Sequence, residues 1–274
     1  ADTKHSVLVH GNEDSMNILV TGSAGFVGSH LVRTFDTDDT IYGLVHDRPP
    51  RDDAAVWVNG DVTNFTRMLE IIVHYEIDQI YHLASRPIVR NCSVDPLGCF
   101  QTNVMGTVSI LEAARQSGRI KGVMVMESDK AYGTGSVPYQ EQQVLRPEGV
   151  YEASKACLHY LVSCYYHNYH LPVFSVRSAN IYGPEDMNFS RLIPRTIIRI
   201  LQGEKPQITT NAGEFIREWF YIDDACRWMK RLMAIQPWGQ VVNIGSGQTG
   251  SVRALIDLIC TSMNVPNDTE EWTS

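Results

Sequence analysis

Short apolar runs alternate with longer amphipathic stretches over most of this sequence. The first run, at 16–20, is followed by Thr21 and Gly22, as expected for a buried strand that ends in a tight turn. Similar runs predict strands at 41–45, 56–58, 80–83, 123–126, 171–176 and 241–244. Helical spacing predicts helices near 26–35, 65–75, 96–117, 150–170, 191–202, 223–235 and 252–263. Because apolar strands that alternate with helices form parallel sheets covered on both faces, we predict an α/β fold with a doubly wound parallel sheet.

The regular alternation loosens after Asn180, where prolines interrupt a series of shorter elements. We therefore predict a sheet domain over residues 16–180 and a smaller C-terminal lobe over 181–274. The apolar run at 241–244 is predicted to return to the main sheet, so that the lobe is interleaved with it at about 240–260. The polar, aperiodic residues 1–15 are expected to be a flexible N-terminal extension or a cloning remnant.

Composition narrows the class of protein. A chain of 274 residues with 43% hydrophobic residues can bury a full core without disulfides or metals, as soluble globular proteins do. Its net charge of −8 argues against a general nucleic-acid or anionic-membrane surface, and no apolar run is long enough to span a membrane. Neither the six cysteines nor the nine histidines show metal-ligand spacing. We predict no metal, reduced thiols and a cytoplasmic location.

A glycine-rich segment, GSAGFVG from Gly22 to Gly28, lies between the first strand and the first helix. Gly22 allows a tight turn, Gly25 allows the backbone to approach a pyrophosphate, and Gly28 lets the helix pack closely on the strand. The start of the helix adds backbone N–H donors for phosphate oxygens. This context favours dinucleotide binding over a purely structural turn, although the spacing G-x-x-G-x-x-G differs from the commoner G-x-G-x-x-G.

Two aspartates near later strand ends concern the adenosine half of such a cofactor. Asp47, close to the end of the second strand, is the candidate partner of the ribose hydroxyls, which favours NAD. The adjacent Arg48 would suit the 2′-phosphate of NADP, so NADP stays possible. Asp61, followed by Val62, is placed to meet the adenine, and a structural role at the start of the next helix explains this aspartate equally well.

Tyr151 and Lys155 open the helix predicted at 150–170 and share one face of it, four residues apart. A free tyrosine has a pKa of about 10, and a nearby ammonium lowers that pKa by stabilising the phenolate. Ser128, Asp129 and Lys130 follow the strand predicted at 123–126. In a parallel sheet this strand end and the helix start lie at the carboxyl edge, where ligands bind. We predict a catalytic site there.

The glycine loop, the hydroxyl residue and the Tyr-x-x-x-Lys pair together resemble the extended short-chain dehydrogenase/reductase family of nucleotide-sugar enzymes, the NAD-dependent epimerases and dehydratases. The resemblance covers about residues 16–259 and includes HLAS at 82–85, NVMGT at 103–107, RSANIYGP at 177–184 and REWFYIDD at 217–224. It implies a Rossmann-type sheet with a smaller substrate-binding lobe, NAD as cofactor, a nucleotide-diphosphate sugar as substrate, and a homodimer formed through the helices at 96–117 and 150–170. The cofactor-binding residues expected from these observations are Gly22, Gly25, Phe26, Val27, Gly28, Asp47, Arg48, Asp61, Val62, Leu83, Ala84, Ser85, Asn103, Tyr151 and Lys155.

Within that family, Ser128 would hydrogen-bond the sugar C4 oxygen, Tyr151 would take its proton, and Lys155 would bind the nicotinamide ribose. Epimerases usually carry small or neutral residues after the hydroxyl residue, whereas Asp129-Lys130 resembles the Asp-Lys pair of CDP-glucose and UDP-N-acetylglucosamine 4,6-dehydratases. Elimination of water needs an acid for the C6 hydroxyl, assigned to Asp129, and a base at C5, assigned to Lys130. We therefore predict a nucleotide-sugar 4,6-dehydratase. A 4-epimerase is the second interpretation, and a non-catalytic dinucleotide-binding protein is a remote third. For the Asp-Lys pair itself, the structural alternative is a surface turn.

The diphosphate end of the substrate is assigned to polar residues that match family positions, because arginine fits phosphate oxygens bidentately. These residues are Arg86, Asn180, Arg191 and Arg217. Arg195 and Arg199 follow Arg191 on the same helix face, and for them we expect a solvated surface. The loop around Arg86 is similar to that of CDP-glucose 4,6-dehydratases, but the segment at 217–221 is closer to the generic family pattern, so the nucleotide base stays open. Relatives usually continue further than Ser274, which would fit a truncated chain or a short lobe.

Overall fold

The computed structural model describes residues 15–50, 52–209 and 212–272, and the predicted extension at 1–15 lies outside this part except for Ser15. Its strands are β1 Asn17–Thr21, β2 Thr40–Val45, β3 Val56–Asn59, β4 Gln79–His82, β5 Gly122–Met126, β6 Val173–Ser178, β7 Asn180–Tyr182, β8 Gln207–Thr209, β9 Ile216–Tyr221, β10 Val241–Ile244, β11 Thr249–Ser251 and β12 Glu270–Trp272. Its α-helices are α1 Phe26–Val32, α2 Phe65–His74, α3 Val89–Val94, α4 Pro96–Phe100, α5 Gly106–Ser117, α6 Val150–Tyr169, α7 Leu192–Leu201, α8 Ile222–Ile235 and α9 Val252–Ser262.

Seven parallel strands form the main sheet, in the order β10-β6-β5-β4-β1-β2-β3. The chain runs outward from β1 to β3 and then restarts on the other side of β1 with β4. This reversal opens a crevice outside the carboxyl ends of β1 and β4, the usual place for a ligand in such a sheet. The predicted doubly wound, Rossmann-type α/β fold is confirmed.

The sheet is buried on both faces because successive side chains of a strand point in opposite directions. In β1, Leu19 packs toward α2, α5 and α6, while Ile18 and Val20 pack toward α1 and α8. All three side chains are at most 2% exposed. Burial on both sides explains why these strands read as continuous apolar runs in the sequence rather than as alternating patterns.

The residues after Asn180 do not form a fully separate unit. A three-stranded sheet, β11-β9-β7, and the pair β12-β8 build the lobe, with a small core around Ile208 and Ile256. However, β10 pairs with β6, and α8 packs on the main sheet. The return of β10 to the main sheet agrees with the interleaving that the sequence predicts, and the packing of α8 on this sheet extends it. Strands β7, β8, β11 and β12 have three residues each, too few to show a period in the sequence.

The helix predicted at 96–117 is interrupted. Between α4 and α5, the residues Gln101–Met105 form a π-helical turn, which places Asn103 in the interior at 1% exposure. Gly106 follows the turn, and a Cβ there would lie 2.8 Å from Val62 Cγ2, so the close approach of the two segments requires glycine. Such π turns are frequent at functional sites.

Substitution of Gly28 tests the close contact between α1 and the turn after β1. An added Cβ would lie 2.3 Å from the Gly22 carbonyl oxygen and 2.7 Å from Ser23 Cα, and backbone atoms cannot move away cheaply. We expect Gly28→Ala to lower the free energy of unfolding by about 1–3 kcal/mol in urea titrations. Gly250→Ala is the matched control, because its Cβ would meet only Trp219 Cζ3, at 3.8 Å. Equal stability of the two variants would contradict this account.

Candidate active site

The ends of four parallel strands bring the predicted site residues to one edge of the sheet. The glycine loop follows β1, residues 83–86 follow β4, Ser128 follows β5, and Asn180 follows β6. Helix α6 begins at the same edge, with Tyr151 in its first turn. Convergence at the carboxyl edge is the geometry that the sequence predicts.

Ser128, Asp129 and Lys130 form a tight polar turn at the end of β5. The Ser128 hydroxyl donates to Asp129 Oδ1 at 3.2 Å and accepts the backbone N–H of Lys130 at 3.2 Å. Burial raises the pKa of the Asp129 carboxyl, and this effect outweighs the opposing influences of Lys130 and Ser128. Asp129 is only partly exposed, so the interpretation of a freely solvated surface turn does not fit it.

Tyr151 and Lys155 lie one turn apart on α6, and both are almost completely buried. Lys155 Nζ donates to the Met126 carbonyl oxygen at 2.8 Å. Burial lowers the pKa of Lys155 to about 8, so its ammonium is mainly protonated at neutral pH. Burial also raises the pKa of Tyr151 to about 12, against the influence of the nearby Ser128 hydroxyl. The pKa of Tyr151 therefore shifts in the opposite direction to the lowering that the sequence predicts for a phenol beside an ammonium, because burial outweighs the neighbouring charges.

A buried hydrogen-bond chain joins the first strand to the helices behind the site. Thr107 Oγ1 donates to the Asn103 carbonyl oxygen at 2.6 Å, so at 3.0 Å from His82 Nε2 it acts as the acceptor. His82 Nδ1 then accepts from Thr21 Oγ1 at 2.8 Å, which assigns the imidazole proton to Nε2. Burial lowers the pKa of His82 to about 3, consistent with a neutral ring. His82 thus has a structural role at the ends of β1 and β4.

Asn103, predicted to bind the cofactor, continues this chain to the catalytic helix. Its Nδ2 donates to Ser154 Oγ at 2.9 Å, and Ser154 Oγ donates to the Tyr151 carbonyl oxygen at 2.7 Å. Its Oδ1 accepts the backbone N–H of Arg86 at 2.7 Å. The amide is buried and both its atoms have protein partners, so Asn103 joins the loop after β4 to the start of α6. These contacts position the two segments, and the prediction that Asn103 also binds the cofactor stays a prediction.

The glycine loop passes so close to neighbouring backbone that side chains at its glycines would clash with it. Gly22 has a φ of +69°, and a Cβ there would lie 2.8 Å from the Ala84 backbone nitrogen. A Cβ on Gly25 would lie 3.0 Å from the Gly22 carbonyl oxygen. Phe26 and Val27 begin α1 above this loop and are partly exposed. Leu83, Ala84 and Ser85, also partly exposed, line the neighbouring strand end. The geometry is compatible with a pyrophosphate lying against the loop.

The residues predicted to meet the adenosine half lie farther along the same edge. Asp47 and Arg48 are both exposed just beyond β2. Asp61 Oδ1 accepts the Thr63 backbone N–H at 2.8 Å, which supports its turn-forming role without excluding contact with adenine. Val62 is buried beside the turn that leads into α5.

Two of the predicted phosphate-binding arginines face the catalytic residues. Arg191 forms an ion pair with Asp186 at 3.0 Å, and its charge lowers the pKa of Tyr151. Arg217, on β9, is exposed and has the same effect on the carboxyl of Asp129. These two influences are smaller than that of burial, but they indicate that both guanidinium groups lie near the predicted catalytic residues.

The other two predicted phosphate ligands have protein partners. Arg86 forms an ion pair with Asp95 at the start of α4. Asn180 Nδ2 donates to the Glu218 carbonyl oxygen at 3.2 Å. A substrate phosphate would have to replace these contacts to bind either side chain.

The expectation of a solvated face for Arg195 and Arg199 is wrong. Arg199 donates from Nε to the Lys205 carbonyl oxygen at 2.8 Å and forms an ion pair with Glu204 at 2.7 Å. Arg195 Nε is buried, with no hydrogen-bond partner among the residues that the structure describes. The chain after α7 folds back over this face of the helix, a tertiary contact that helical spacing does not reveal.

Sequence reasoning missed an ion pair directly behind the site. Arg177 Nε and Glu127 Oε2 are 2.6 Å apart, and both side chains are completely buried. A signal for the pair exists, because each residue is a charge within an otherwise apolar strand run, VMVME and VFSVRS. Only the pairing of β5 with β6 shows that the two charges meet.

Other kinds of site are not found in the described part of the chain. It contains no cluster of three or more potential metal ligands and no helix long and apolar enough to cross a membrane. The six cysteines are all free thiols, four of them buried.

Comparison with known proteins places this geometry in a family. Residues 18–245 match the model of the NAD dependent epimerase/dehydratase family. The dTDP-glucose 4,6-dehydratase of Streptomyces antibioticus is 30% identical over 268 residues, which cover 91% of this chain and 78% of that protein. The trifunctional UDP-glucose 4,6-dehydratase/UDP-4-keto-6-deoxy-D-glucose 3,5-epimerase/UDP-4-keto-L-rhamnose-reductase of Arabidopsis thaliana is 30% identical over 259 residues, or 88% of this chain. The chain spans only 38% of the length of that trifunctional protein.

A solved structure agrees with the sequence matches. The crystal structure of DesIV, a dTDP-glucose 4,6-dehydratase from Streptomyces venezuelae with NAD bound, superimposes with a TM-score of 0.86 at 26% identity. The superposition covers 94% of this chain and 85% of that one, so it includes the lobe as well as the main sheet. Since the family model extends from β1 through β10, the chain belongs to the NAD-dependent epimerase/dehydratase family.

Proposed function

We propose that the protein is a nucleotide-diphospho-sugar 4,6-dehydratase that uses bound NAD as a transient hydride acceptor. The observation that carries the proposal is the turn after β5, where Asp129 has a raised pKa, accepts a hydrogen bond from Ser128 and adjoins Lys130. A carboxyl group that holds its proton more readily is suited to protonate a leaving hydroxyl. The similarity to dTDP-glucose and UDP-glucose 4,6-dehydratases supports the same activity.

The residues at the carboxyl edge fit NAD. The loop of Gly22, Gly25 and Gly28 would hold the pyrophosphate, Asp47 would bind the adenosine ribose, and Lys155 would bind the nicotinamide ribose. When bound, NAD supplies the hydride acceptor for C4 and the hydride donor for C6, so the reaction has no net redox change. NAD rather than NADP is supported by the bound cofactor of DesIV.

The proton transfers of the proposed reaction are assigned to side chains of the protein. Ser128 would donate a hydrogen bond to the C4 oxygen. Tyr151 would take the C4 hydroxyl proton through its phenolate form, which the Lys155 ammonium one turn away stabilises. Oxidation at C4 acidifies the C5 proton, for which Lys130, next to Asp129, is the proposed acceptor. Asp129 gives its proton to the C6 hydroxyl, which leaves as water. Arg191 and Arg217 would hold the diphosphate, with Asn180 and Arg86 as further contacts.

A 4-epimerase is the second candidate, because the family includes both activities. Epimerisation needs only Ser128, Tyr151 and the cofactor, all of which the site would also provide. It gives no role to a protonated Asp129 or to Lys130. The raised pKa of Asp129 therefore favours dehydration.

We further propose a cytoplasmic location. All six cysteines are free thiols, which is typical of proteins in a reducing compartment. The buried Cys92 and Cys99 lie beside Tyr151, where oxidation would disturb the catalytic helix.

We also propose that the protein is a homodimer that associates through the segment from α3 to α6. Apolar side chains are exposed on these neighbouring elements: Val94, Leu97, Phe100, Met105, Tyr160 and Tyr169. Clustered exposed apolar surface of this kind marks interaction sites.

Product analysis tests the proposed reaction. We expect incubation with UDP-, dTDP-, CDP- or GDP-glucose to give, from at least one of them, a 4-keto-6-deoxy product that has lost one water by mass spectrometry. Asp129→Asn should lower kcat by about 100-fold or more, because the general acid is removed while the side-chain volume is kept. An isomer of unchanged mass as the product, formed equally well by Asp129→Asn, would identify an epimerase instead.

Lys155→Met should separate function from stability. The variant should lose at least about 100-fold in kcat, yet gain about 1–3 kcal/mol in free energy of unfolding at pH 7, because a buried charge is removed. The pKa of Lys155 is lowered in the folded chain, from 10.5 to about 8, so wild-type stability rises with pH across that interval. The advantage of the variant should therefore shrink above pH 8 in urea titrations. An advantage that grows with pH would contradict the assignment.

The dimer is tested by introducing charge at the proposed interface. Tyr160→Glu and Leu97→Glu should convert a dimer into a monomer in analytical ultracentrifugation, because burial of an unpaired carboxylate is costly. Leu258→Glu, at an exposed position on α9, is the control and should stay dimeric. A monomeric wild-type protein at micromolar concentration would rule the dimer out.

A further inference from the structure

The ion pair between Glu127 and Arg177 lies immediately behind the catalytic turn. Glu127 is the residue before Ser128, and its backbone N–H donates to the Val176 carbonyl oxygen at 2.8 Å across the β5–β6 ladder. Its Oε2 is 2.6 Å from Arg177 Nε, and both side chains are fully buried. A charged pair at this place has no role in the proton transfers proposed above.

Stability does not account for the pair. Glu127 Oε1 and both terminal nitrogens of Arg177 have no hydrogen-bond partner among the residues that the structure describes. The guanidinium instead lies over the ring of Tyr132, 4.7 Å from its centroid. A buried ion pair with unmet hydrogen bonds regains only part of its desolvation cost. Two apolar side chains of similar volume would stabilise the core at least as well. The reason for a charge at this place is therefore to be sought among the groups around the Glu127 carboxylate.

Lys155 is the second buried cation next to Glu127. Its Nζ donates to the carbonyl oxygen of Met126, the residue that precedes Glu127, at 2.8 Å. Among the groups that act on Lys155, the Glu127 carboxylate is the strongest that opposes burial, and it raises the pKa of the ammonium. The Glu127 carboxylate therefore pairs with Arg177 on β6 and also stabilises the charge of Lys155 on α6, whose ammonium binds the carbonyl group of the preceding residue.

The remaining titratable groups around Lys155 cannot replace this carboxylate. They are His82 from β4, Cys92 from α3, Cys99 from α4 and, one turn back on α6, Tyr151. Burial raises the pKa of Cys92 to about 12 and that of Tyr151 to about 12, and it lowers that of His82 to about 3, so these three are neutral at pH 7. On the far side of the pair, Glu127 and Arg177 have opposite effects on the pKa of His159, which burial lowers.

We propose that Glu127 is a positioning residue, the shared counter-ion of Arg177 and Lys155, which keeps Lys155 as an ammonium against the end of β5. Arg177 anchors the carboxylate from the neighbouring strand, so that its charge stays fixed behind the turn instead of turning toward the cleft. This inference rests on the proposed active site but not on which sugar reaction the site performs. It assigns to Glu127 no contact with substrate or cofactor.

Direct titration of Lys155 tests the proposal without a substrate. The chain has six lysines, so the side-chain signals of protein labelled with 13C-lysine can be followed by NMR from pH 6 to 11, and Lys155→Met identifies the signal of Lys155. In the wild-type protein its midpoint should be at about 8. In Glu127→Gln, which keeps the shape but removes the charge, the midpoint should fall by about one pH unit.

Two further variants separate this effect from a general disturbance of the fold. Glu127→Gln/Arg177→Met removes both charges of the ion pair, so that no buried guanidinium is left without its carboxylate. It should also show a lowered midpoint of Lys155, even where the single variant folds poorly. Asp78→Asn is the matched control. It changes a buried carboxylate that pairs with Lys121 at 3.1 Å just before β4, at the opposite edge of the sheet, and should leave the midpoint of Lys155 unchanged.

The outcomes distinguish this inference from the proposed reaction. An unchanged midpoint in both Glu127 variants, or an equal fall in Asp78→Asn, would overturn the role of Glu127 whatever the enzyme does to sugars. A lowered midpoint together with no dehydration of any nucleotide sugar by the wild-type protein would count against the dehydratase alone.

Discussion

The ammonium of Lys155 is a charge held almost without solvent, and much of the active site can be understood from that constraint. A buried cation needs an acceptor for its protons and a negative charge nearby, or it gives up its proton. The end of β5 supplies both, through the Met126 carbonyl oxygen and through Glu127. Burial of the ammonium costs free energy, as the lowered pKa of Lys155 shows. Proteins retain such destabilising groups where function requires them. The catalytic turn begins at the next residue, so its position depends on the same strand end.

The same edge of the sheet is held together by neutral hydrogen bonds. From Thr21 the chain of contacts passes through His82, Thr107 and Asn103 to Ser154 on α6. Each donor in this series of hydrogen bonds has an acceptor. A buried polar network of this kind, with its hydrogen bonds satisfied, makes the surrounding structure rigid. This network therefore links the start of the glycine loop to the first turn of α6, where Tyr151 lies. A hydride-transfer site needs such support, because small errors in position between cofactor and substrate reduce the rate strongly.

The sequence predicted those parts of the fold and site that depend on a single segment, and it missed those that depend on contacts between segments. Runs of three to six residues identified the strands of the main sheet, and the glycine spacing identified the loop. The three-residue strands of the lobe and the π-helical turn around Asn103 leave no periodic signal. The direction of the pKa shift of Tyr151 was misjudged for a related reason: the motif shows that Lys155 is near but not that both groups are buried. The contacts of Arg199 with Glu204 and Lys205 likewise depend on how the chain turns after α7, which helical spacing does not show. Burial is a property of the assembled fold, and one segment does not contain it.

Burial of side chains also decides between the two candidate reactions, dehydration and epimerisation. Both begin with removal of the C4 hydroxyl proton, which the proposed mechanism assigns to Ser128 and Tyr151. Dehydration needs two more proton transfers, at C5 and at C6, and an acid that still carries its proton near neutral pH. Desolvation of the turn after β5 moves the pKa of Asp129 in that direction, although Lys130 and Arg217 pull it the other way. An epimerase would gain nothing from placing a carboxyl group and an amine in a poorly solvated turn, and desolvation would destabilise that turn. The arrangement is favourable only where both groups handle protons, and that is the physical reason for preferring the dehydratase.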